Sequence, residues 1–379
     1  MNSSLRYALS ACAAAVVLAG CDPKDGVKEF EQGRAAYELR DLKKAERLFE
    51  KSLEYAPSNV DAIVYLVRVK LESGELASAG EWAGKAAALS PDDVDIRLLQ
   101  AQLAFHAKKY DEAAKLFTGV AEESDLGAET CAEGWVGLGV VEMDRGRNDL
   151  ARVAFLRAIR LDGRNASAWY HLGLIYRDNF GYLEAALEQF EVFVRLEASA
   201  SPRVQKVQRT VIPELKEAIA RRAVERPGVA RRDSSASAAS LAKGDAAMKK
   251  GQFKTARQHY DEALKADPLS FPAAIGLAKA WQRSDASPAG QREALKHYCT
   301  ACSLHPSSTS TFLTAGAFAA SIGSHLQALE IYSRAVAASP TRLEALDGLV
   351  RALQRVGGRR EDARAYQQYR DFLAKRRKK

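Results

Sequence analysis

The stretch Gly134-Trp-Val-Gly-Leu-Gly139, followed by Arg152-Val-Ala-Phe-Leu-Arg-Ala-Ile159, decides the fold of this chain. Its tryptophan, leucine and last glycine return 34 residues later as Trp169, Leu172 and Gly173. A fixed period of about 34 residues is typical of helix-turn-helix units that stack into a solenoid. Small residues let two helices approach closely, and large residues between them fill the remaining space. The pattern therefore predicts an all-α chain built of repeated helix pairs.

The same spacing continues along most of the chain, in nine units of about 34 residues. Proline follows the second predicted helix of several units: Pro57 and Pro91 lie 34 residues apart, as do Pro306 and Pro340. Proline ends a helix because it has no N–H to donate and restricts the residue before it. With Trp135 as position 4 of its unit, the pattern resembles the tetratricopeptide-repeat family. The resemblance implies an α-solenoid that binds partner proteins.

The units fall into two groups, separated by a stretch without the repeat pattern. In that stretch Ser201-Pro202 is typical of a helix start, and Pro213 is expected to bend the helix. Pro227-Gly228 and the serines after it indicate a flexible joint. We therefore predict a first array of about five repeats over 26–200, a capping helix over 201–225, a linker over 226–236, and a second array of about four repeats with a basic tail over 237–379.

Extra residues interrupt the period at three places. We predict a loop insertion at 122–127, one extra residue near 179–181, and about four extra residues between two helices at 284–288. The last unit, from Leu343, keeps only part of the pattern, as expected of a repeat that closes an array.

The first 20 residues predict export. Arg6 precedes an apolar run, 8–19, that is too short to span a bilayer. The run ends in Leu18-Ala-Gly-Cys21, which resembles the bacterial lipobox, where the chain is cleaved before a cysteine that carries acyl chains. Two or more such chains hold a protein on a membrane almost permanently. The resemblance implies a signal peptide over 1–20, lipidation of Cys21 and a tether over 21–25; an ordinary signal peptide that happens to end in cysteine is the alternative.

The lipobox resemblance also implies a location in a bacterial cell envelope, lipid-anchored and facing the periplasm. Asp22 follows the cysteine directly. It resembles the signal that retains lipoproteins in the inner membrane of enteric bacteria, although other lineages follow different rules. Both membranes stay open, and we favour the outer membrane because most such lipoproteins go there.

The formal net charge of +8 is concentrated in two segments. Residues 201–232 hold nine Lys and Arg against three Glu, and residues 370–379 hold six against one Asp. One interpretation is a solvated cap and tail. The other is attraction to anionic lipid or cell-wall polymer, to which each basic residue near a charged surface contributes about 1 kcal/mol. Export argues against DNA or RNA as a partner.

In the tetratricopeptide-repeat family the first helix of each repeat lines the inner wall, mainly through positions 2, 5, 9, 12 and 13. We predict that this wall forms a peptide-binding groove in the fourth and fifth repeats, where an apolar stripe can seat an amphipathic helix or an extended peptide. Ordinary packing between neighbouring first helices is the alternative. The family's carboxylate clamp, with Lys at position 5 and Asn at position 9, does not occur in this sequence. The candidate groove residues are Val136, Val140, Met143, Tyr170, Leu174 and Arg177.

Cys299-Thr-Ala-Cys302, with His297 and His305 nearby, suggests a metal or redox site at first sight. A thioredoxin-type pair begins a helix after a strand, whereas these cysteines fall in the middle of a predicted second helix. We therefore interpret them as buried small residues, with a local disulfide in an oxidising periplasm as the alternative. The glycines of 134–139 do not match a dinucleotide fingerprint. We expect no cofactor, no metal and no enzyme activity.

These patterns together predict a membrane-anchored periplasmic scaffold that mediates protein–protein interactions. It resembles the repeat lipoproteins that help secretins, pili or exopolysaccharide exporters assemble. A partner is therefore expected in an envelope, secretion, pilus or exopolysaccharide complex. The alternative is a lipoprotein that associates with the cell wall or another anionic polymer through its basic segments.

Overall fold

The computed structural model describes residues 26–198, 201–224 and 232–377. Throughout these residues the chain forms helices and short turns, without a strand, which confirms the predicted all-α fold. None of the helices in these residues has the length and apolar character needed to cross a membrane. The predicted signal peptide, Cys21 and the tether lie outside the described residues, as does part of the predicted linker.

The contacts divide the chain into two compact units, one through Ala168 and one from Trp169. The described helices of the first unit are α1 Val27–Glu38, α2 Leu42–Tyr55, α3 Val60–Glu72, α4 Leu76–Leu89, α5 Val94–His106, α6 Tyr110–Ala121, α7 Ala128–Asp144 and α8 Asn148–Leu161. The boundary falls inside α9 Ala166–Leu174, which continues as a π-helical turn, Ile175–Phe180. The second unit continues with α10 Leu183–Leu196, α11 Pro202–Lys206, a π-helical segment Val207–Val211, α12 Ile212–Val224, α13 Ser234–Lys249, α14 Phe253–Ala266, α15 Phe271–Ser284, α16 Pro288–Leu304, α17 Thr309–Ser321, α18 His325–Ala338, α19 Leu343–Val356 and α20 Arg360–Arg377.

Most helices pack against the next one along the chain, and several first helices also contact the first helix of the following pair. Five pairs precede α11 and four follow α12 in the described residues. This succession of helix pairs is the predicted solenoid. The division into two arrays at residues 200 and 237 stays a prediction.

Proline and left-handed turn residues set the ends of these helices. The second helices that end two residues before a proline are α2, α4, α14, α16 and α18, as the sequence predicts. Between the two helices of a repeat, the chain passes through a glycine with φ of 72° to 80° at positions 74, 146, 251 and 323. Arg40 (φ 62°) and Lys108 (φ 58°) adopt the same backbone at the equivalent place. A side chain makes that conformation less favourable than it is for glycine.

Close packing around α7 depends on its glycines. A Cβ on Gly139 would lie 2.5 Å from Cε1 of Phe155 on α8, and a Cβ on Gly137 would lie 2.2 Å from Cε1 of Phe117 on α6. Both distances are far inside van der Waals contact, so the two rings can lie there only because no side chain is present. This confirms the predicted role of Gly139, whereas the contact between Gly137 and a ring of the preceding repeat was not predicted.

The extra residue of the fifth repeat is absorbed inside its first helix. The last turn, Ile175–Phe180, is π-helical, and Gly181 ends it with φ 65°. A π turn holds one residue more than an α-helical turn. The following residues therefore keep the register of the other repeats, and Ala186 and Phe190 are fully buried.

The other two interruptions differ from each other. Residues 122–127 form the loop between α6 and α7, as predicted. The prediction for 284–288 is wrong in detail, because only 285–287 separate α15 from α16 and the extra residues lengthen α16 to 17 residues. Ser287 starts this longer helix: its Oγ accepts a hydrogen bond from the Gly290 N–H at 3.1 Å, and a proline follows it as the first helical residue.

The capping helix begins at Pro202, as the sequence predicts. Its π-helical segment, Val207–Val211, comes just before Pro213. A proline inside a helix crowds the turn that precedes it and leaves a carbonyl without its N–H partner, and a widened turn relieves that crowding. Segment and helix pack against α10. The buried stripe of this helix is Val204, Val207, Val211 and Leu215.

Replacing Gly137 by Ala is expected to lower the thermal midpoint of unfolding, because the new methyl group must displace the Phe117 ring. Overpacking of this kind typically costs about 1–3 kcal/mol, which exceeds the gain of up to about 1 kcal/mol from better helix propensity. Gly119→Ala on α6 is the matched control, since nothing lies within 4 Å of the added Cβ. Circular dichroism should show a lower midpoint for the first variant and an equal or higher one for the second. Equal midpoints would contradict the packing argument.

Candidate functional site

The first helices of the repeats in the unit through Ala168 are α1, α3, α5 and α7, and neighbouring members touch on one side. The Tyr37 hydroxyl on α1 donates to Oε1 of Glu72 on α3 at 2.5 Å. Arg68 on α3 donates to Oδ1 of Asp95 on α5 at 3.2 Å, and α5 contacts α7. We name the side formed by positions 2, 5, 9, 12 and 13 of these four helices the A-helix surface. The contacts make it continuous over four repeats.

The middle of the A-helix surface is mainly apolar. Three predicted groove residues, Val136, Val140 and Met143, lie here on α7 and are half-buried, whereas Val141 between them faces the core. Their apolar atoms are therefore partly open to a partner. The other side chains at positions 5 and 12, most of them half-buried, are Phe30, Tyr37, Val64, Leu71, Leu98 and Phe105.

Two rows of carboxylates flank this apolar middle. Position 2 lies at the beginning of each first helix and position 13 at its end. Position 13 comes eleven residues after position 2, which corresponds to about 16 Å along a helix. All six carboxylates are exposed: Asp61, Asp95 and Glu133 form one row, and Glu38, Glu72 and Asp144 form the other.

The electrostatics around Glu133 show how the surface accumulates negative charge. Its side chain is exposed, yet its pKa is raised, first because the surrounding protein desolvates the carboxylate and then because Asp95 repels it. Arg68 opposes this shift. Arg68 belongs to the second repeat and Glu133 to the fourth, so charges two repeats apart influence each other across the A-helix surface.

The two arginines of the surface are already engaged. Arg68 lies 5.4 Å from the centroid of the Tyr65 ring, in addition to its bond with Asp95. Arg34 lies 5.9 Å from the same ring and pairs with Glu31 at 3.2 Å. Cation–π contacts hold both guanidinium groups near the Tyr65 ring.

The other three predicted groove residues lie in the unit from Trp169. Tyr170 is half-buried, and the guanidinium of Arg203 on α11 lies 5.0 Å from its ring centroid. Arg177 donates from Nε to Oδ1 of Asp178 at 2.5 Å, and Leu174 is half-buried. The capping helix therefore covers part of the Tyr170 ring.

His171, next to Tyr170, is neutral at pH 7. Burial and then the positive charge of Arg203 lower its pKa to about 4. A protonated imidazole would sit poorly beside that guanidinium. The neutral imidazole therefore avoids repulsion from the Arg203 guanidinium.

A cavity of about 140 Å³ lies between α10 and the α17–α18 pair, within the unit from Trp169. At its wall the Tyr182 hydroxyl donates to Oε2 of Glu330 at 3.4 Å, and Arg334 lies 5.5 Å from the Tyr182 ring centroid. Glu184 and Arg222 add opposite charges to the lining. With both signs of charge present, the cavity favours no particular ligand.

The two cysteines of 299–302 lie on α16, a second helix as predicted, but near its C-terminal end and not in its middle. Both thiols are free; Cys302 is buried and Cys299 partly so. Burial raises the pKa of Cys302 to about 12 and also raises that of Cys299. A raised pKa disfavours the reactive thiolate, which supports the interpretation as packing residues. Within 26–198, 201–224 and 232–377, no three His, Cys, Asp or Glu side chains lie in a metal-binding arrangement.

Sequence reasoning missed the two acidic rows and the arginines held on aromatic rings. A signal for the rows is present, since Asp or Glu recurs at position 2 in three consecutive repeats and at position 13 in three of four. No such signal exists for Tyr65, because its contacts with Arg34 and Arg68 depend on how neighbouring repeats pack.

Comparison with known protein families identifies the same repeats. Family models described as "Tetratricopeptide repeat" match residues 36–103, 83–128, 215–271 and 241–289, and one described as "TPR repeat" matches 139–179. Together these segments cover more than half of the chain. All are repeat models, and none describes a catalytic family. No curated protein matches the chain.

Solved structures with a similar backbone are distant in sequence. A structure of pilF from Pseudomonas aeruginosa is 16% identical and covers 67% of this chain and 97% of its own, with a TM-score of 0.39. A MamA structure is 19% identical, covering 50% and 97%, with a TM-score of 0.34. YrrB, described as a TPR protein with an unusual peptide-binding site, is 16% identical, covering 52% and 97%, with a TM-score of 0.32. Because both the sequence identities and the TM-scores are low, these similarities carry no argument about function.

Replacing Glu133 by Gln is expected to raise the urea midpoint of unfolding at pH 7. The native pKa of Glu133 lies above its ordinary value of 4.5, so ionisation destabilises the native state. That cost is fully present above the raised native pKa and disappears as the pH falls below 4.5. The gain should therefore shrink at low pH. Glu50→Gln, on the exposed side of α2, changes the net charge equally and should give no comparable gain; a lower midpoint for Glu133→Gln at pH 7 would contradict the argument.

Proposed function

Because the chain belongs to the tetratricopeptide-repeat family, we propose that it is a non-catalytic scaffold that binds partner proteins. The observation that carries this proposal is the A-helix surface, with half-buried apolar side chains at Phe105, Val136 and Met143 on neighbouring repeats. Partly exposed apolar rows of this kind mark protein-binding surfaces on soluble domains. A helix or extended peptide can bury them.

The scaffold is proposed to act in a bacterial cell envelope, anchored by acyl chains on Cys21 and facing the periplasm. Support comes from the apolar run and the Leu18-Ala-Gly-Cys21 sequence. The outer membrane is favoured over the inner membrane on the general distribution of such lipoproteins. The partner is then an envelope protein, in a complex for secretion, pilus assembly or exopolysaccharide export.

One observation favours a second candidate function, association with the cell wall or another anionic polymer. The capping helix buries its valine stripe and exposes Arg203, Lys206 and Arg209. A row of exposed basic residues is attracted to anionic surfaces. Co-sedimentation with peptidoglycan or anionic vesicles, compared between the full chain and a variant with these three residues replaced by Gln, tests this function. Equal sedimentation of both would argue against it.

Replacing Cys21 by Ser is expected to abolish incorporation of labelled palmitate and to release the protein from the membrane fraction. The reason is that only a thiol at this position can receive the diacylglyceryl group. Cys131→Ser is the matched control, because Cys131 is buried in α7 and should leave labelling intact. Label that persists in the Cys21 variant, or that never enters the wild-type chain, would contradict the anchor.

A photo-crosslinking amino acid at Val140 is expected to capture one discrete envelope protein in living cells, identified by mass spectrometry. Val140 lies in the apolar middle of the A-helix surface and is half-buried. The control position is Lys115, exposed on the second helix α6, which should give no such product. Adding Val136→Asp should remove the product from Val140. Equal capture from Lys115, or none from Val140, would argue against the A-helix surface as the binding site.

A further inference from the structure

The A-helix surface has a charge pattern that restricts what it can bind. An apolar floor runs along positions 5 and 12, and acidic rows run along both of its edges. Of the eight Asp, Glu, Lys and Arg side chains at these positions on α1, α3, α5 and α7, six are carboxylates and two are arginines. At these positions carboxylates therefore outnumber arginines on both sides of an apolar strip, although Glu72 in the row at position 13 is paired with Arg40 from outside these positions.

The arginines do not neutralise both rows. Arg34 is paired with Glu31, which lies outside the rows, and Arg68 is paired with Asp95. In the row at position 13, Arg40 pairs with Glu72. In the row at position 2, Asp61 and Glu133 have no ion-pair partner among the described residues. The raised pKa of Glu133 comes in part from Asp95, so the row already repels added negative charge. Positive charge from outside would relieve that repulsion.

The width of the strip suits a helix. The two rows are separated by about 16 Å along the first helices, and an α-helix with its side chains is about 10–12 Å across. A helix lying over the strip would place its apolar side on the floor. Long side chains on its two flanks would reach the carboxylates, since Lys and Arg carry their charge at the end of a flexible stem.

We propose that the A-helix surface of the first four repeats binds a cationic amphipathic helix of another protein, with its apolar face on the floor and Lys or Arg on both flanks against the acidic rows. This inference rests on the proposed scaffold function and names the class of its partner. Charge complementarity selects the partner here, because the apolar floor alone would accept any amphipathic helix.

The basic helices of the chain itself are poor occupants. The apolar side of the capping helix is buried against its own unit, including Leu215. The apolar side of α20 is buried as well, at Tyr366, Tyr369 and Leu373. Either helix would have to detach from its own repeats before its apolar side could bind the A-helix surface of a second copy. The favoured occupant is therefore a different protein.

Fluorescence anisotropy with the full chain tests the charge rule. Three labelled peptides of about five helical turns share one leucine face and differ only on their flanks, which carry Lys, Gln or Glu. The Lys peptide should bind at least about tenfold more tightly than the Gln peptide, and the Glu peptide should not bind. Raising the salt concentration should weaken only the Lys peptide, because salt screens exposed charges.

Two charge-matched variants locate the effect. Asp61→Asn with Glu133→Gln removes two carboxylates from the row at position 2 and should weaken the Lys peptide by about fivefold. Glu50→Gln with Glu54→Gln removes the same charge from the exposed side of α2 and should leave binding unchanged. Equal weakening by both variants would show that net charge alone matters, which would overturn the proposal.

The outcomes separate this inference from the scaffold function. If the Gln peptide binds as tightly as the Lys peptide while Val140 still captures an envelope protein in cells, the scaffold stands and the cationic class is wrong. If no peptide binds and Val140 captures nothing, both are wrong. If instead the full chain self-associates in light scattering, and the Asp61/Glu133 variant abolishes this, the occupant is a second copy and the proposed partner is overturned.

Discussion

The packing of most repeats depends on aromatic rings that lie directly against glycine backbones. The Tyr332 ring, on a second helix, fits against Gly316 of its own repeat and Gly348 of the next, where added Cβ atoms would lie 2.9 and 2.2 Å away. One ring thus sets the distance between two successive first helices. Rings and glycines meet in the same way within other repeats, at Gly33 with Phe49, Gly139 with Phe155, Gly173 with Phe190, and Gly244 with Tyr260.

Regular spacing of the first helices explains why equivalent side chains form rows. When each first helix sits at a similar distance from the next, position 2 of one repeat lies beside position 2 of its neighbour. Carboxylates at that position then influence one another, as Asp95 does Glu133. An individual repeat would show only one acid at the start of a helix. The acidic edges are therefore a property of the stacking.

The sequence was sufficient for the helix pairs, because the glycine at position 8 and the proline after the second helix act locally. It was not sufficient for Gly276 and Gly348 at position 6, which matter only because a ring from the preceding repeat lies against them. The extra residue near 179–181 was visible, but its placement in a π turn depends on burying Phe190 in register. For the groove, Val140 lies on a partly exposed surface, whereas the contact of Arg203 with Tyr170 depends on how the capping helix docks.

Net charge misleads about the A-helix surface for a physical reason. The chain carries +8 overall, which taken alone would favour anionic partners. Exposed charges act over a Debye length of roughly 8 Å at physiological salt. A segment that binds the A-helix surface therefore responds mainly to the charges beside it, among them the carboxylates of Asp61 and Glu133, rather than to the net charge of the chain. One chain can in this way offer an acidic surface to a cationic helix and basic segments to an anionic polymer, because each partner senses only the charges within its own reach.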